Sequence, residues 1–251
     1  MAWRETRASW GRLLFFFVCV AIGVAAIVVL RSLVETVRVT LTREARQLIG
    51  ADVVLQSQRA WTGELDTRLG RVLADARVRA HTEVVETQTM AQPADGKGSG
   101  GVRLVELRGV EAAFPFYGVP EIEDGRPYAH ALVAGRGALV QPDLLREFGL
   151  GVGDRISLAG QPFTIRGVVA RDRVQRASGM ALGPRIYVDL ADLRALPLLG
   201  FGSRATYQVL VRVDADGVGA LTEFGRSVFQ GQTVTVRSWR TVEDRIGRNL
   251  Q

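Results

Sequence analysis

The feature that most constrains this chain is an uninterrupted apolar run near its N-terminus. Leu13 to Leu30 reads LLFFFVCVAIGVAAIVVL and contains no charged side chain. As a helix rising about 1.5 Å per residue, the run would span about 27 Å, which is enough to cross the hydrocarbon core of a bilayer. A cleavable signal peptide has a shorter apolar region, usually about 7 to 15 residues, that ends at small residues. Because this run ends Val-Val-Leu-Arg, it predicts an uncleaved transmembrane helix over 13–30.

The orientation of this helix is predicted from the lengths of its flanks. Arginines stand on both sides, so their number favours neither orientation. Long domains cross the membrane largely regardless of charge, whereas a short arginine-bearing flank tends to stay inside. The longest apolar stretch after Arg31, residues 195–201, is broken by Pro197 and is too short to span. We therefore expect a single pass through a bacterial inner membrane, with residues 1–12 in the cytoplasm and the main domain outside it.

The segment that follows the membrane run is predicted to be a stalk. Its apolar residues recur at steps of three and four, which is typical of an amphipathic helix, and Gly50 would end it. We interpret residues 31–50 as a helix stiff enough to carry displacement, because a continuous helix transmits motion along its axis. The stretch 37–42 also alternates as a strand would, so that alternative stays open. The candidate mechanical residues are Val34, Val37, Leu41 and Leu48.

Two later stretches each indicate a strand, a helix and a strand. The first unit is predicted at 52–58, 62–75 with Thr62 as the N-cap, and 80–90; the second is predicted at 205–213, 217–229 and 233–238. A glycine-rich loop over 91–101 then leads to a further strand over 102–110. Two such units separated by an insertion predict an α+β fold, in which 51–117 and 204–239 form a ferredoxin-like layer of split β-α-β units.

The insertion, residues 118–203, is predicted to be a small β-rich lobe. It contains short strand patterns at 138–140, 156–158, 163–170 and 185–188, a short helix at 142–148, and a second helix capped by Asp189. Just before it, Phe114-Pro115-Phe116-Tyr117-Gly118 places three large rings together, and burying such rings is strongly favourable. We expect Phe114, Phe116 and Tyr117 to form a hydrophobic plug at the junction of the two subdomains. A partner-docking surface is the alternative.

Several kinds of chemistry are disfavoured by the sequence. It contains neither the phosphate-binding pattern G-x-x-x-x-G-K-[ST] nor a G-x-S-x-G nucleophile elbow. One cysteine and two histidines supply few ligands for a transition metal. The arginines that give the net charge of +6 are scattered along the chain, unlike a nucleic-acid-binding patch. We expect no catalytic centre, no cofactor and no nucleic-acid partner.

Taken in order, five segments resemble a known family. They are the opening WRETRASWGRLLFFFVCVAIGVAAIVVL, then REARQLIGADVVLQSQR, FPFYG, ALVQPDLLREFGLGVGDRISLAGQPFTIRGVVARD and GPRIYVDLADL. Together they resemble the N-terminal half of FtsX/MacB-type ABC transporter permeases, particularly the predicted lysophospholipase-associated export permeases. The resemblance implies a first membrane helix, a stalk and a periplasmic core domain, the last made of a porter-like layer with an inserted lobe.

The same resemblance implies a function and its partners. The chain would be the N-terminal portion of a permease subunit that handles lipid-linked, lipoprotein or hydrophobic cargo and carries ATPase-driven motion mechanically. Its implied partners are a separate ABC ATPase subunit, the lipid bilayer and a second permease copy. Residues 240–251 would begin the return to the membrane. The alternative function is a membrane-anchored periplasmic binding or adaptor module that works without ATP; an anchored periplasmic enzyme is a third, disfavoured hypothesis.

Overall fold

A computed structural model describes residues 15–32, 45–96, 101–172, 183–200 and 202–241. The chain divides into two units, Met1–Glu44 and Ala45–Gln251. The described part of the first is helix α1 (Phe15–Ser32), whose mean hydropathy is 2.5 and whose side chains are exposed within the unit. Its length and composition are those of a helix able to cross a membrane. Of the predicted stalk residues, Val34, Val37 and Leu41 lie outside the described part of the chain.

The second unit is a mixed α/β domain. Its strands are β1 (Val53–Ser57), β2 (Val78–Pro93), β3 (Arg103–Val110), β4 (Glu121–Ile122), β5 (Gly137–Val140), β6 (Arg155–Leu158), β7 (Gln161–Arg171), β8 (Arg185–Asp189), β9 (Thr206–Val213) and β10 (Val234–Ser238). Its helices are α2 (Glu64–Leu73), α3 (Pro142–Phe148), α4 (Leu190–Arg194) and α5 (Val218–Val228), with a 3-10 turn at His130–Leu132. Most elements lie within a few residues of the predicted ranges.

The strands form one mixed sheet in the order β10-β1-β9-β2-β3-β8-β5-β7-β4. β1 is antiparallel to both β10 and β9, and β9 is also antiparallel to β2. Each β-α-β unit therefore places a strand of the other unit between its own two strands. The apolar residues of α2 recur at Leu65, Leu69 and Val72 and pack with α5 over β1 and β9.

Farther along, the sheet closes on itself. β6 pairs with β7 on one side and with the last three residues of β2, Ala91–Pro93, on the other. The strands β2, β3, β8, β5, β7 and β6 thus form a closed ring. Buried apolar side chains from all six strands form one core cluster, against which α3 and α4 also pack. The strands of 118–203 are therefore hydrogen-bonded into the sheet that 51–117 begins, through the parallel pair β3 and β8 and the antiparallel pair β2 and β6.

The two predicted helix caps have different outcomes. The side chain of Asp189 accepts a hydrogen bond from the Ala191 N–H at 2.8 Å, so the predicted cap of α4 is confirmed. The predicted Thr62 cap is wrong, because α2 begins at Glu64 with Gly63 in the N-cap position. Gly63 has a φ of 59°, a left-handed conformation that glycine adopts without a side-chain clash. Because of this turn, the helix begins at Glu64, and Thr62 does not occupy the N-cap position.

Candidate functional site: the junction at the chain connections

The segments that lead into and out of the domain meet at one end of the sheet. Residues 45–49 are helical and lead into β1, whereas helical residues 239–241 follow β10. β1 and β10 are paired with Val53 opposite Ser238, and the Trp239 N–H donates to the Asp52 carbonyl at 3.3 Å. The Phe114–Gly118 loop also reaches this end. We call the cluster formed there by Arg46, Asp52, Phe116, Tyr117 and Trp239 the junction.

Asp52 is the centre of the junction. It is fully buried, and its Oδ2 accepts hydrogen bonds from the Tyr117 hydroxyl at 2.9 Å and from the Val213 N–H at 3.0 Å. The Arg46 Nε lies 3.3 Å from Oδ1. A buried carboxylate is costly unless it is paired and hydrogen-bonded, so these partners are held in place by the charge that they compensate. One side chain thereby ties the segment 45–50, the aromatic loop and the end of β9 together.

Aromatic rings hold the arginines around this carboxylate. The guanidinium of Arg46 lies 5.0 Å from the ring centroid of Trp239 and 5.6 Å from that of Tyr117. Both distances are within the range of a cation–π interaction. Burial and the hydrogen bond to Asp52 raise the pKa of Tyr117, and the positive charges of Arg46 and Arg212 oppose that rise. The tyrosine therefore remains a neutral hydrogen-bond donor at ordinary pH.

The aromatic loop also packs against the backbone of the segment 45–50. The N–H groups of Phe116 and Tyr117 donate to the Gly50 carbonyl at 3.1 and 3.3 Å. Gly118 has a φ of 68°, and a Cβ at this position would lie 2.4 Å from the Gln47 carbonyl oxygen. Only a residue without a side chain allows the two backbones to approach so closely.

Gly118 therefore gives a sharp prediction. We expect Gly118→Ala to lower the free energy of unfolding of the full chain in detergent by about 2–4 kcal/mol, because the new methyl group meets backbone and φ is positive. Gly125→Ala is the matched control, since Gly125 has a φ of 78° but a Cβ added there would have no atom within 4 Å. That control should lose only about 1 kcal/mol. If chemical denaturation shows the same loss in free energy of unfolding for Gly118→Ala and Gly125→Ala, the close packing at Gly118 is contradicted.

The third ring of the loop contacts a different part of the domain. Phe114 is 2% exposed, and its centroid lies 6.0 Å from that of Tyr187 and 5.4 Å from the guanidinium of Arg108. Phe116, by contrast, lies under the guanidinium of Arg212 at 5.4 Å. Of the three aromatic side chains in the loop, Phe114 therefore packs on strands β3 and β8. Phe116 and Tyr117 lie at the junction.

Behind Phe114, a row of buried charges connects the neighbouring strands. Glu86 stands opposite Arg108 in the β2–β3 register, and Glu106 stands opposite Arg185 in the β3–β8 register. The corresponding ion pairs measure 2.8 Å each, and Asp172 lies 2.6 Å from Arg185. Burial by itself would lower the pKa of Arg185, but Tyr187 and the three carboxylates outweigh it and raise the pKa. The row pairs opposite charges across the neighbouring strands β2, β3 and β8.

Tyr187, fully buried within this row, gives a pH-dependent prediction. Burial raises its pKa to about 12, above the ordinary value of 10. Because the folded-state pKa is raised, the contribution to stability is complete below about pH 10 and is lost as the pH rises to about 12. We expect the free energy of unfolding to fall by about 1.4 kcal/mol per pH unit more steeply in the wild type than in Tyr187→Phe over that interval. If denaturant titrations show that the free energy of unfolding depends on pH in the same way in the wild type and in Tyr187→Phe, the raised pKa of Tyr187 is contradicted.

Sequence reasoning singled out the aromatic loop as a plug between two subdomains, which is a different role from that of the junction defined above. Phe116 and Tyr117 lie in it, Phe114 lies on the buried row, and Leu48 lies in the helical residues 45–49 with 36% of its surface exposed. It missed Arg46, Asp52 and Trp239. In the sequence pattern, Asp52 only begins a predicted strand. The sequence does contain a signal for Asp52: it directly precedes the apolar Val53-Val54-Leu55. A carboxylate next to such a strand is expected to be buried and therefore to need partners.

A second feature is an open pocket of about 690 Å³ beside α4. It is lined by apolar residues and by Glu111, His130, Asp189 and Arg194. The His130 Nε2 lies 3.0 Å from the Asp189 Oδ2, while the other oxygen of Asp189 caps α4. Within the described ranges, no group of three His, Cys, Asp or Glu residues could hold a metal ion.

The structure combines a mixed α/β domain with an apolar helix that is long enough to cross a membrane. A family model for the MacB-like periplasmic core domain matches residues 14–224. Because this match covers most of the chain, the chain belongs to that family, and the resemblance to FtsX/MacB-type permeases is confirmed. Together with α1, family membership makes the chain an inner-membrane protein with an extracytoplasmic domain.

Individual proteins are also similar to this chain. It is 24% identical over 213 residues to the uncharacterized ABC transporter permease YbbP of Escherichia coli K12; the match covers 82% of this chain and 24% of that protein. The chain thus spans about a quarter of this relative. The periplasmic region of MacB from Actinobacillus actinomycetemcomitans shares the fold, with a TM-score of 0.51 and 14% identity, covering 80% of this chain and 95% of that one. The extracellular domain of YknZ from Gram-positive bacteria matches with a TM-score of 0.47 and 13% identity, covering 74% and 100%.

Proposed function

We propose that this chain is the N-terminal portion of an ABC-type permease that carries motion from the membrane into an extracytoplasmic domain. The observation that carries the proposal is the junction around Asp52. The segment 45–50 is bound there by an ion pair, by backbone hydrogen bonds and by packing at Gly118. A displacement of that segment must therefore move the aromatic loop and the end of β9, or break a buried charge contact that is costly to break.

The proposed architecture follows the sequence prediction. Residues 1–12 are cytoplasmic, 31–50 form the stalk, and 240–251 begin the return to the membrane. The strands β10, β1, β9 and β2, with crossover helices α2 and α5, form a ferredoxin-like, porter-like layer over 51–117 and 204–239. Its support is the strand order, in which each β-α-β unit is split by a strand of the other. Residues 118–203 form the inserted lobe, and the aromatic loop lies between the two.

The proposed partners and cargo come from the permease resemblance. A separate ABC ATPase subunit would supply the motion, and a second permease copy would pair with this one. The cargo would be lipid-linked, a lipoprotein or another hydrophobic molecule. The membrane-anchored binding or adaptor module is the competing function, and it needs no ATPase.

Affinity purification separates these two functions. The intact gene product, tagged and expressed at its native level, is extracted in mild detergent, and the proteins that co-purify are identified by mass spectrometry. The proposal predicts a stoichiometric subunit that carries a G-x-x-x-x-G-K-[ST] motif, or such a domain in the same polypeptide. An intact gene product that stops after one membrane span and brings down no ATPase under several detergents would favour the adaptor module.

A further inference from the structure

The open pocket beside α4 has the size and the lining of a small-molecule site. Its volume is about 690 Å³, and small-molecule sites commonly measure about 300–1,000 Å³. Such sites combine apolar walls with a few polar groups that select the ligand. In this pocket the apolar walls are formed by Ala112, Ala113, Leu190 and Ala191. The polar groups therefore decide which class of molecule the pocket suits.

Glu111 is a carboxylate in this lining whose charge is not balanced by any cation in the described part of the chain. Its Oε2 accepts hydrogen bonds from the Glu83 N–H at 2.6 Å and from the Thr82 hydroxyl at 3.2 Å. Both donors are neutral. They hold the half-buried carboxylate in place while its other oxygen, Oε1, accepts no hydrogen bond from the described residues. A partly desolvated charge without a counter-ion is unfavourable, so a ligand that supplies one is favoured.

The neighbouring polar groups add acceptors rather than free cations. A carboxylate can only accept, so the His130 Nε2–H donates to the Asp189 Oδ2 at 3.0 Å. In a neutral ring that donates from Nε2, Nδ1 is an acceptor, and this buried atom has no hydrogen-bond partner in the described ranges. Arg194, the arginine of the lining, is already paired with Glu83 at 2.7 Å. The pocket therefore lacks a cation that carries hydrogen-bond donors.

Other classes of ligand fit these groups less well. An anion would meet the carboxylates of Glu83, Glu111 and Asp189. A neutral apolar molecule would remove water from Glu111 without replacing its hydrogen bonds. A divalent metal ion needs several oxygen or nitrogen ligands, and the described residues contain no group of three that could supply them. An ammonium group offers three N–H donors and one positive charge, and hydrocarbon attached to it suits the apolar walls.

We propose that the pocket beside α4 binds a small organic cation, namely a primary ammonium group on a short hydrocarbon body, with Glu111 as its counter-ion. The Glu111 Oε1 accepts an N–H of the ammonium group, and the hydrocarbon body packs against the alanine and leucine side chains of the walls. The inference uses contacts within Ala45–Gln251 alone. It is independent of the ATPase-driven motion proposed above, so either proposal can fail without the other.

Titration of the full chain in dodecyl maltoside with n-butylammonium tests the proposal. The readout is the imidazole NMR signal of His130, which is assigned with His81→Gln because the chain has two histidines. n-Butanol and butyrate are probes of similar length that lack the positive charge. The blocked tripeptide acetyl-Ala-Lys-Ala-amide presents the same ammonium group on a peptide, and it distinguishes a free small molecule from the lysine side chain of a protein.

Three variants separate the charge from the shape of the pocket. Glu111→Gln removes the charge but keeps an oxygen that can accept from Glu83 and Thr82. The control, Glu123→Gln, removes the same charge from an exposed position that does not line the pocket. Ala191→Leu leaves every charge in place and narrows the pocket from the exposed face of α4. Melting curves establish that the variants are folded.

The wild type and Glu123→Gln should bind n-butylammonium with affinities within twofold of each other. Glu111→Gln should bind it about tenfold more weakly, which corresponds to one hydrogen bond to a charged group, and Ala191→Leu should also bind it more weakly. Butanol and butyrate should bind the wild type far more weakly than the cation. The proposal is overturned if n-butylammonium gives no saturable shift, if Glu111→Gln or Ala191→Leu binds it as tightly as Glu123→Gln, or if the three butyl probes bind equally. A tripeptide that binds about tenfold more tightly than n-butylammonium would also overturn it, in favour of a protein partner.

Discussion

Replacing Arg185 by methionine is expected to destabilise the domain by about 3–5 kcal/mol. Arg185 is 1% exposed, and the change removes the cation that lies within 2.8 Å of the buried Glu106 and the half-buried Asp172. Arg108 stays beside Glu86. Chemical denaturation of the full chain in detergent measures the loss as a shift of the midpoint at unchanged slope.

Two comparisons make the result for Arg185 specific. Arg155→Met removes an ion pair to Asp95 of similar length, 2.7 Å, but its partners are 52% and 40% exposed, so the expected loss is below about 1 kcal/mol. Adding Glu106→Gln to Arg185→Met should recover part of the stability, because a buried carboxylate that faces Arg185 in the wild type becomes neutral. A loss for Arg185→Met as small as that for Arg155→Met, or purely additive effects in the double variant, would contradict the buried charge row.

The second large effect is expected at Asp52. Asp52→Asn keeps the shape of the side chain but removes the charge opposite Arg46. In the wild type, the Tyr117 hydroxyl and the Val213 N–H both donate to Oδ2 of Asp52. In the variant, the single amide oxygen must accept both hydrogen bonds. The cost is about 2–4 kcal/mol, since Arg46, which is only partly solvated, loses its counter-ion and a buried amide NH2 donor stands where a carboxylate acceptor stood.

Hydrogen exchange locates this loss within the domain. Peptides covering residues 45–52, 114–118 and 239–241 should exchange at least tenfold faster in Asp52→Asn, whereas peptides of the ring-forming strands β5 and β7 should be unchanged. Asp214→Asn is the control, because Asp214 and its partner Arg79 are both more than half exposed. Faster exchange spread evenly over the domain would mean that Asp52 only stabilises the fold and does not hold the junction together.

The elements of the fold were predictable because their signals are local. The three-to-four spacing of Leu65, Leu69 and Val72 identifies α2, and strand alternation identifies β9, whatever their neighbours are. The closed ring was not predictable in this way. It depends on the last residues of β2 pairing with β6 and on the parallel pairing of β3 with β8, and both contacts join distant segments.

The same reason explains what was missed at the candidate site. Glu106 and Arg185 are 79 residues apart, and each by itself looks like a solvated charge on an alternating strand. Only the strand register places them opposite each other. Phe114, Phe116 and Tyr117 were conspicuous because large rings must be buried somewhere. Nothing in the local pattern indicates that Phe114 and its two neighbours contact different parts of the domain.

We propose that motion of the segment 45–50 reaches the rest of the domain through Asp52. The most direct test is hydrogen exchange of the complete permease with its ATPase, compared without nucleotide and with ATP and vanadate. In the wild type, residues 45–52, 114–118 and the end of β9 should change together; in Asp52→Asn, only 45–50 should change. Identical exchange of all these segments in both nucleotide states, while the ATPase turns over normally, would contradict mechanical coupling through the junction.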